Sequence, residues 1–326
     1  MNKIARIRFE PSHRPAPSQS SSAHSHPAMH EGLFQNSKGI ALVLTLMVLA
    51  IIFAMVVEFS YEIYISTSAL HNWQISQRLS LLAKSGVKLA TTTVGDRALR
   101  YPYTYPGILE ISPANPLEGY AGILSLRVED ENSKFNLKSL IFPNGTLNAE
   151  ARNSLMRLLK ALGLNPEIAD RIIDWVDPDK EPRLQDSENG AKNRNLDSLD
   201  EILLIPGIGK ENCERLLPYV TIYGSDVINI NGAQIPVLMS LSDSIDKGMA
   251  ERVIRYRENL PFERPTDILK VAGFETIGQK LMGRISVQGT TFRIISTARE
   301  GDIKRVIESV IEMPGESSLV RYWKET

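Results

Sequence analysis

Residues 38–57, KGIALVLTLMVLAIIFAMVV, set the terms for the rest of the chain. One lysine and one glycine open onto 18 residues, 40–57, in which Thr45 is the only polar side chain. At about 1.5 Å per residue this run makes a helix of roughly 27 Å, long enough to cross a bilayer core. Every other segment must then lie on one side of a membrane or the other. Apart from that run the balance is that of a globular protein: the whole chain of 326 residues is 43% apolar and 23% charged, enough for one large or two modest domains. A net charge of −1 argues against a nucleic-acid coat or a polybasic surface. Cys213 is the only cysteine, so an intrachain disulfide is excluded and its expected role is packing.

Residues 1–37 carry Lys3, Arg6, Arg8 and Arg14 against Glu10 and Glu31, with a His, Ser and Pro rich tract at 12–30. Too few large apolar groups are present to offset the entropy of ordering, so the tract reads as disordered. Its basic excess, with Lys38 at the membrane edge, predicts a single-pass topology with the N-terminus in the cytoplasm and residue 58 onward outside. Glu58, Phe59, Ser60 and Tyr61 come after the run without a small-x-small signature, so it is not a secretory signal trimmed behind its core. Lys38-Gly39 is similar instead to a prepilin peptidase site, with cleavage between Gly39 and Ile40. A plain signal anchor accounts for an isolated Lys-Gly equally well.

From 58 to about 94 there is no proline, Gly86 is the only glycine, and Ile75, Leu79, Leu82, Gly86 and Leu89 recur at three or four residue steps. One helix over 40–94, roughly 80 Å if unbroken, therefore runs from the membrane into a soluble domain. Gly86 either lets it approach a sheet closely or is simply tolerated. Residues 101–116, rich in Tyr, Pro and Gly, read as a loop. Residues 124–137 read as a strand, turn and return, and 290–299 with 303–313 as a hairpin around Glu300-Gly301-Asp302. The expected class is α+β, a small antiparallel sheet packed on the long helix.

A helical block, 146–285, interrupts that sheet. Asn148 is a candidate N-cap for a helix with Leu155, Leu158, Leu159 and Leu162 on one stripe, ended by Gly163. Asn165-Pro166-Glu167 opens the next, with Ile168, Ile172 and Ile173 inward. Leu203 to Gly209, with Pro206-Gly207-Ile208-Gly209 between a helix from Asp197 and one from Lys210, resembles a helix-hairpin-helix turn, whose amides can meet phosphate. A degenerate second copy runs from Ile228-Asn229-Ile230-Asn231 through Met249, Val253 and Ile254 to Pro261-Phe262, with residues 242–246 where the turn should stand. Charge decides against DNA: residues 193–285 hold 11 basic and 13 acidic side chains, whereas duplex binding rests on a basic surface. The hairpins then serve as scaffold or as a protein-binding surface.

Residues 174–188 form an acidic loop with Asp174, Asp177, Asp179, Glu181, Asp186 and Glu188. Carboxylates at alternate loop positions can point at one hard cation such as Ca²⁺. With Asp177 as position 1, Asp179, Glu181 and Glu188 fall at 3, 5 and 12 as in an EF-hand, but Pro182 stands at position 6, where that motif needs glycine. The expectation is a calcium loop of another geometry, with Asp174, Asp177, Asp179, Asp186 and Glu188 as candidate ligands; a solvated acidic loop is the alternative.

Taken together these features resemble the general secretion pathway protein K family, the large minor pseudopilins of type II secretion. The matching stretches are the prepilin-like start, Asp130-Glu131-Asn132-Ser133-Lys134-Phe135-Asn136-Leu137, Ile173-Asp174-Trp175-Val176-Asp177, Asn195-Leu196-Asp197-Ser198-Leu199-Asp200-Glu201 and Ile228-Asn229-Ile230-Asn231. The resemblance implies a pseudopilin fold: a cytoplasmic leader over 1–39, the helix over 40–94, an α/β body from 95–145 and 286–326, and the helical insert at 146–285. It implies bound calcium and a place at the pseudopilus tip beside the I and J minor pseudopilins. The major pseudopilin, the prepilin peptidase and the inner-membrane assembly platform are further implied partners. Most pilins carry Glu at the fifth mature residue; counting from Ile40, Leu44 stands there. A buried membrane carboxylate is costly unless paired, and a subunit with nothing stacked above it needs no such pair. Ile40 as first mature residue, the 39-residue leader and the short acidic loop depart from the family pattern.

A membrane-anchored DNA receptor of a competence system is the competing reading, and an enzyme the third. The histidines are His13, His24, His26, His30 and His71, so the body holds none to act in catalysis, and no nucleophile elbow, phosphate loop or zinc pattern occurs.

Overall fold

With no proline between Lys38 and Arg100, nothing interrupts the first helix, and α1 (Ser37–Arg100) runs past the expected end at 94. Arg97 and Arg100 sit in its last turn, where cations offset the negative end of the helix dipole. The computed structural model describes residues 37–104, 108–111, 122–313, 315 and 317–326, so the expected leader falls outside the described residues up to 36. The chain forms two units, 1–67 and 68–326. Every residue from 39 to 67 is exposed.

In the second unit the chain continues through β1 (Ile108–Ile111) and β2 (Ile123–Asp130). β1 lies in the expected loop; four residues are too few to show alternation, and pairing with β2 from Ile108↔Glu129 to Ile111↔Leu126 holds them. The expected return after the next turn is not a neighbour of β2. Asp130 accepts from the Asn132 amide (2.8 Å) and starts a single 3-10 turn that leads the chain away from the sheet.

The helical insert uses one plan twice. In the first half, β3 (Phe135–Asn136) leads to α2 (Ala149–Ala161) and α3 (Ile168–Val176), a 3-10 turn over Leu199–Leu204, α4 (Lys210–Leu216) and β4 (Val220–Thr221), which pairs in parallel with β3. In the second half, β5 (Ile228–Asn229) leads to α5 (Ile235–Ser240) and α6 (Lys247–Asn259), a 3-10 turn over Pro265–Lys270, α7 (Ile277–Lys280) and β6 (Ile285–Ser286), parallel to β5. Asn136 and Asn229 each accept from the amide two residues on, Lys138 and Asn231, both at 3.0 Å. Glu201 and Asp267 each reach back to the amide three residues before, Ser198 (3.1 Å) and Arg264 (2.8 Å). Arg171 of α3 donates to the Pro206 carbonyl (3.1 Å), and Arg252 of α6 to the Ala272 carbonyl (2.9 Å). Gly207 and Gly273 come directly after those carbonyls with φ of +83° and +94°, a region that suits only glycine.

Several local expectations stand. Asn148 caps α2 through the Ala151 amide (3.2 Å), and Leu155, Leu158 and Leu159 are fully buried, with Leu162 half-buried. Ile168, Ile172 and Ile173 point inward. Two expectations change. The helix expected from Asp197 is only a 3-10 turn, and residues 242–246 merely join α5 to α6, with Asp246 capping α6 through the Met249 amide (2.7 Å). The counterpart of Pro206-Gly207 is Ala272-Gly273. The shared apolar core of both halves begins at Phe135, Leu137 and Leu140, upstream of 146.

β7 (Thr291–Glu300), β8 (Ile303–Glu312) and β9 (Leu319–Glu325) complete a five-stranded antiparallel sheet of order β1-β2-β7-β8-β9. The hairpin expected at 290–313 is present, with Gly301 at φ +57°; β9 is an addition to it. Ile75, Leu79, Leu82, Ala83, Val87, Ala90 and Val94 of α1 pack on Leu124, Leu126, Phe292, Ile294 and Ile307. The stripe passes through Ala90, fully buried, rather than Leu89, which is 46% exposed. A Cβ on Gly86 would collide with Ser296 Oγ and stand 2.7 Å from Leu126 Cδ2, so this glycine permits close approach of helix and sheet.

The Asp130-Glu131-Asn132 stretch joins sheet and insert. Asn132 Oδ1 accepts from the Thr290 and Thr291 amides of the sheet side (2.9 and 3.0 Å). Glu131, fully buried, accepts from Arg293 (3.0 Å), Lys134 (2.7 Å) and Thr221 of the first half. Asp130 accepts from Asn229 Nδ2 of the second half (2.6 Å). Burial pushes the Asp130 carboxyl up to about 6; at Glu131 burial acts the same way, but Lys134 and Arg293 outweigh it and hold that carboxyl below its usual range.

Candidate functional site

α3 ends in the acids that open the loop. Asp174 lies on its last turn and Asp177 is its C-cap. Asp174 is fully buried and already satisfied: Oδ1 accepts from Arg183 Nη1 (2.5 Å), and Oδ2 from the Arg183 amide (2.8 Å) and Ser187 Oγ. Asp177 Oδ2 accepts from the same Arg183 Nη1 (2.5 Å). Its Oδ1 is buried without a hydrogen-bond partner among the described residues, and so are Glu188 Oε1 and Asn193 Oδ1. Carboxylate oxygens of Asp177, Asp179 and Glu188 lie within 4.8 Å of one another.

Of the five candidate ligands, the fold thus gathers Asp177, Asp179 and Glu188. Asp174 is held by Arg183 and Ser187. Asp186, with φ +62°, accepts from Asn189 Nδ2 (3.1 Å). The left-handed residues of this loop are Asp186, Gly190 and Asn193, so its path differs from an EF-hand turn built on a sixth-position glycine. Burial, then Asp179 and Asp174, raise the Asp177 carboxyl against the pull of Arg183. Burial, then Asp177 and Asp174, raise Glu188. Crowded buried oxygens with unspent lone pairs are a poor arrangement by themselves and a good one around a hard cation, whose charge removes both costs. The donor set, all oxygen, fits calcium. Arg183, Ser187 and Asn193 escaped the sequence reading; Arg183, basic amid six acids, was the available signal.

At the Pro206-Gly207 turn, a Cβ on Gly207 would meet Arg171 Cζ at 2.7 Å. The arginines nearest the two glycine turns, Arg171 and Arg252, are spent on chain carbonyls and not offered to phosphate. Gly39 and Ile40 lie in α1 and are exposed. One helix among the described residues is long and apolar enough to cross a membrane, by length and composition.

Residues 133–225 match the first of two family models described as type II secretion system, protein K, and residues 228–288 match the second. The division between them falls between β4 and β5, where the structural plan starts again. The chain belongs to the type II secretion system protein K family. It is similar to the protein K of Pseudomonas aeruginosa, 26% identical over 303 residues, covering 85% of this chain and 89% of that one. It is also similar to the protein K of Dickeya chrysanthemi, 27% identical over 139 residues and 38% of this chain. A solved chain of the GspK-GspI-GspJ complex from the type 2 secretion system of enterotoxigenic Escherichia coli shares the fold, with TM-score 0.60, 20% identity, and coverage of 80% of this chain and 99% of that one. This protein K family member is a minor pseudopilin of the type II secretion system. Its long apolar N-terminal helix fits a single-pass membrane anchor.

Proposed function

We propose that the chain occupies the tip of the pseudopilus, where it nucleates or caps assembly with minor pseudopilins of the I and J types and so supports export of folded proteins across the outer membrane. The carrying observation is the contrast along α1: residues 39–67 are exposed, the apolar run 40–57 among them, while a stripe from Ile75 is buried on the sheet. An exposed apolar helix needs a membrane first and a bundle of partner helices later. The solved complex of GspK with GspI and GspJ supports those partners. Leu44, in place of the usual carboxylate, suits a subunit with nothing stacked above it.

In this reading the N-terminus is cytoplasmic, the body periplasmic, and the prepilin peptidase cuts between Gly39 and Ile40. The major pseudopilin and the inner-membrane assembly platform take up the processed helix. The helix-hairpin-helix-like halves of the insert serve as a compact protein-facing cap, and Asp177, Asp179 and Glu188 hold calcium. N-terminal sequencing of the protein from membranes tests the first step: Ile40, free or N-methylated, is the expected result, and an intact Met1 would refute processing. Deleting the gene should abolish secretion or deregulate pseudopilus length, and normal secretion with normal length would refute the tip assignment.

A further inference from the structure

We propose that the acidic loop is a two-cation site in which one cation is built into the chain. The Arg183 guanidinium is the permanent cation, a divalent ion is the exchangeable one, and Asp177 is shared between them, one oxygen to each. Asn193 supplies a neutral ligand to the ion. The proposal rests on calcium binding at Asp177, Asp179 and Glu188 and goes beyond it in naming Arg183 as a positioning residue and Asn193 as a ligand.

The geometry divides the loop cleanly. On one side Arg183 Nη1 meets Asp174 Oδ1 and Asp177 Oδ2, both at 2.5 Å, and its backbone amide meets Asp174 Oδ2. A fully buried Asp174 next to a nearly buried Asp177 would be a costly pair of like charges without that guanidinium. On the other side Asp177 Oδ1, Glu188 Oε1 and Asn193 Oδ1 are buried with no hydrogen-bond partner among the described residues. Asp177 is only 1% exposed, so its free oxygen has no recourse to water. Asn193 is fixed for this role at both ends. Its φ is +51°, its amide donates to the Trp175 carbonyl (3.0 Å), and its Nδ2 donates to the Asp179 carbonyl (3.0 Å), which leaves Oδ1 as the unspent group. The second half of the insert has no such loop: residues 260–264 replace 177–198 there.

Because Arg183 already bridges Asp174 and Asp177 and offsets one of their two charges, the loop keeps its shape without the ion, and calcium adds only a modest increment. Without Arg183, the ion is the sole cation left, and the loop depends on it.

The test uses the full chain in detergent, titrated with calcium chloride by calorimetry and melted with either calcium or EDTA present. The wild type is expected to bind one ion per chain. Asn193→Ala should weaken binding by at least about tenfold. Arg183→Gln should melt lower in EDTA than the wild type, and calcium should raise its midpoint by at least about 5 °C more than it raises the wild type's. Arg183→Lys, which keeps the charge but not the fork, should fall between. If Arg183→Gln folds only with calcium, the dependence is confirmed in stronger form; if it folds in neither condition, Arg183→Lys decides. No calcium binding by the wild type overturns the calcium reading and this inference together. Binding by the wild type with Asn193→Ala unchanged, and with equal calcium shifts in the wild type and the arginine variants, overturns this inference alone.

Discussion

The two halves of the insert reach the same turn by different chemistry. In the second half, α6 passes to its 3-10 turn through residues 260–264, and Phe262 closes the passage. Phe262 stacks on Tyr256 (4.9 Å between centroids, 13° between planes), and its amide and carbonyl both bond to the Asn231 side chain (2.9 Å each). In the first half, α3 passes to its 3-10 turn through residues 177–198, and carboxylates with Arg183 take the place of the ring. Of the parts common to both, the arginine bonds the turn carbonyl and the positive-φ glycine follows it, while the reaching acid holds the final residues of each connection, Asp197 and Ser198 in one and Glu263 and Arg264 in the other. A frame that holds only the end of a connection can let the rest of it lengthen and take on a ligand. On the proposed reading, metal binding belongs to the first half alone.

The largest expected effect strikes the second half. Phe262→Ala removes a ring 1% exposed and should cost about 3–5 kcal/mol of stability in urea unfolding, with calcium unable to restore it. Rescue by calcium would break the division between the halves. Gly207→Val sharpens the other side of the comparison: positive φ and the 2.7 Å approach to Arg171 Cζ should together cost about 3 kcal/mol. Gly273→Val should cost somewhat less, since its nearest neighbour is the movable end of Arg252 at 3.1 Å. Equal costs would mean that the arginine contact is not part of the frame.

The smallest effect is a pH dependence at the joint. Asp130 tethers the second half through Asn229, and its folded value of about 6 stands above the ordinary carboxylate value. A raised carboxyl binds its proton better in the folded chain. Its contribution is full below about pH 4, fades as pH rises through 6, and is absent above; at most it amounts to about 2–3 kcal/mol. Melting points of the wild type should thus gain from this group between pH 8 and 5, and Asp130→Asn should lose that slope. Glu131, held low by Lys134 and Arg293, acts oppositely only in more acid solution. An unchanged slope in Asp130→Asn would remove the tether from the account.

Much of the fold was legible in residues whose effect is local or periodic. Ile75, Leu79 and Leu82 declared a packed helix face, Asn148 its neighbour's cap, and Glu300-Gly301-Asp302 a hairpin. The short strands escaped because β1 and β3 exist only by pairing with distant partners, which no local pattern encodes. The repeat was seen but misplaced. Its signal was a capping acid and a glycine at one spacing, Glu201 with Gly207 and Asp267 with Gly273, and the search for a second Pro-Gly missed Ala272-Gly273. At the site, acids could be counted in sequence, but which carboxylates are already satisfied depends on where Arg183 and Ser187 fold back. Asp174 was therefore indistinguishable from Asp177 until the loop was closed.

Hydrogen exchange of the full chain in detergent, with calcium and with EDTA, tests most directly whether one half of the insert has become a metal site while the other has not. Calcium is expected to slow exchange of amides over 174–193 and to leave 260–264 and the sheet unchanged. Equal protection of both connections, or no change over 174–193, would contradict it.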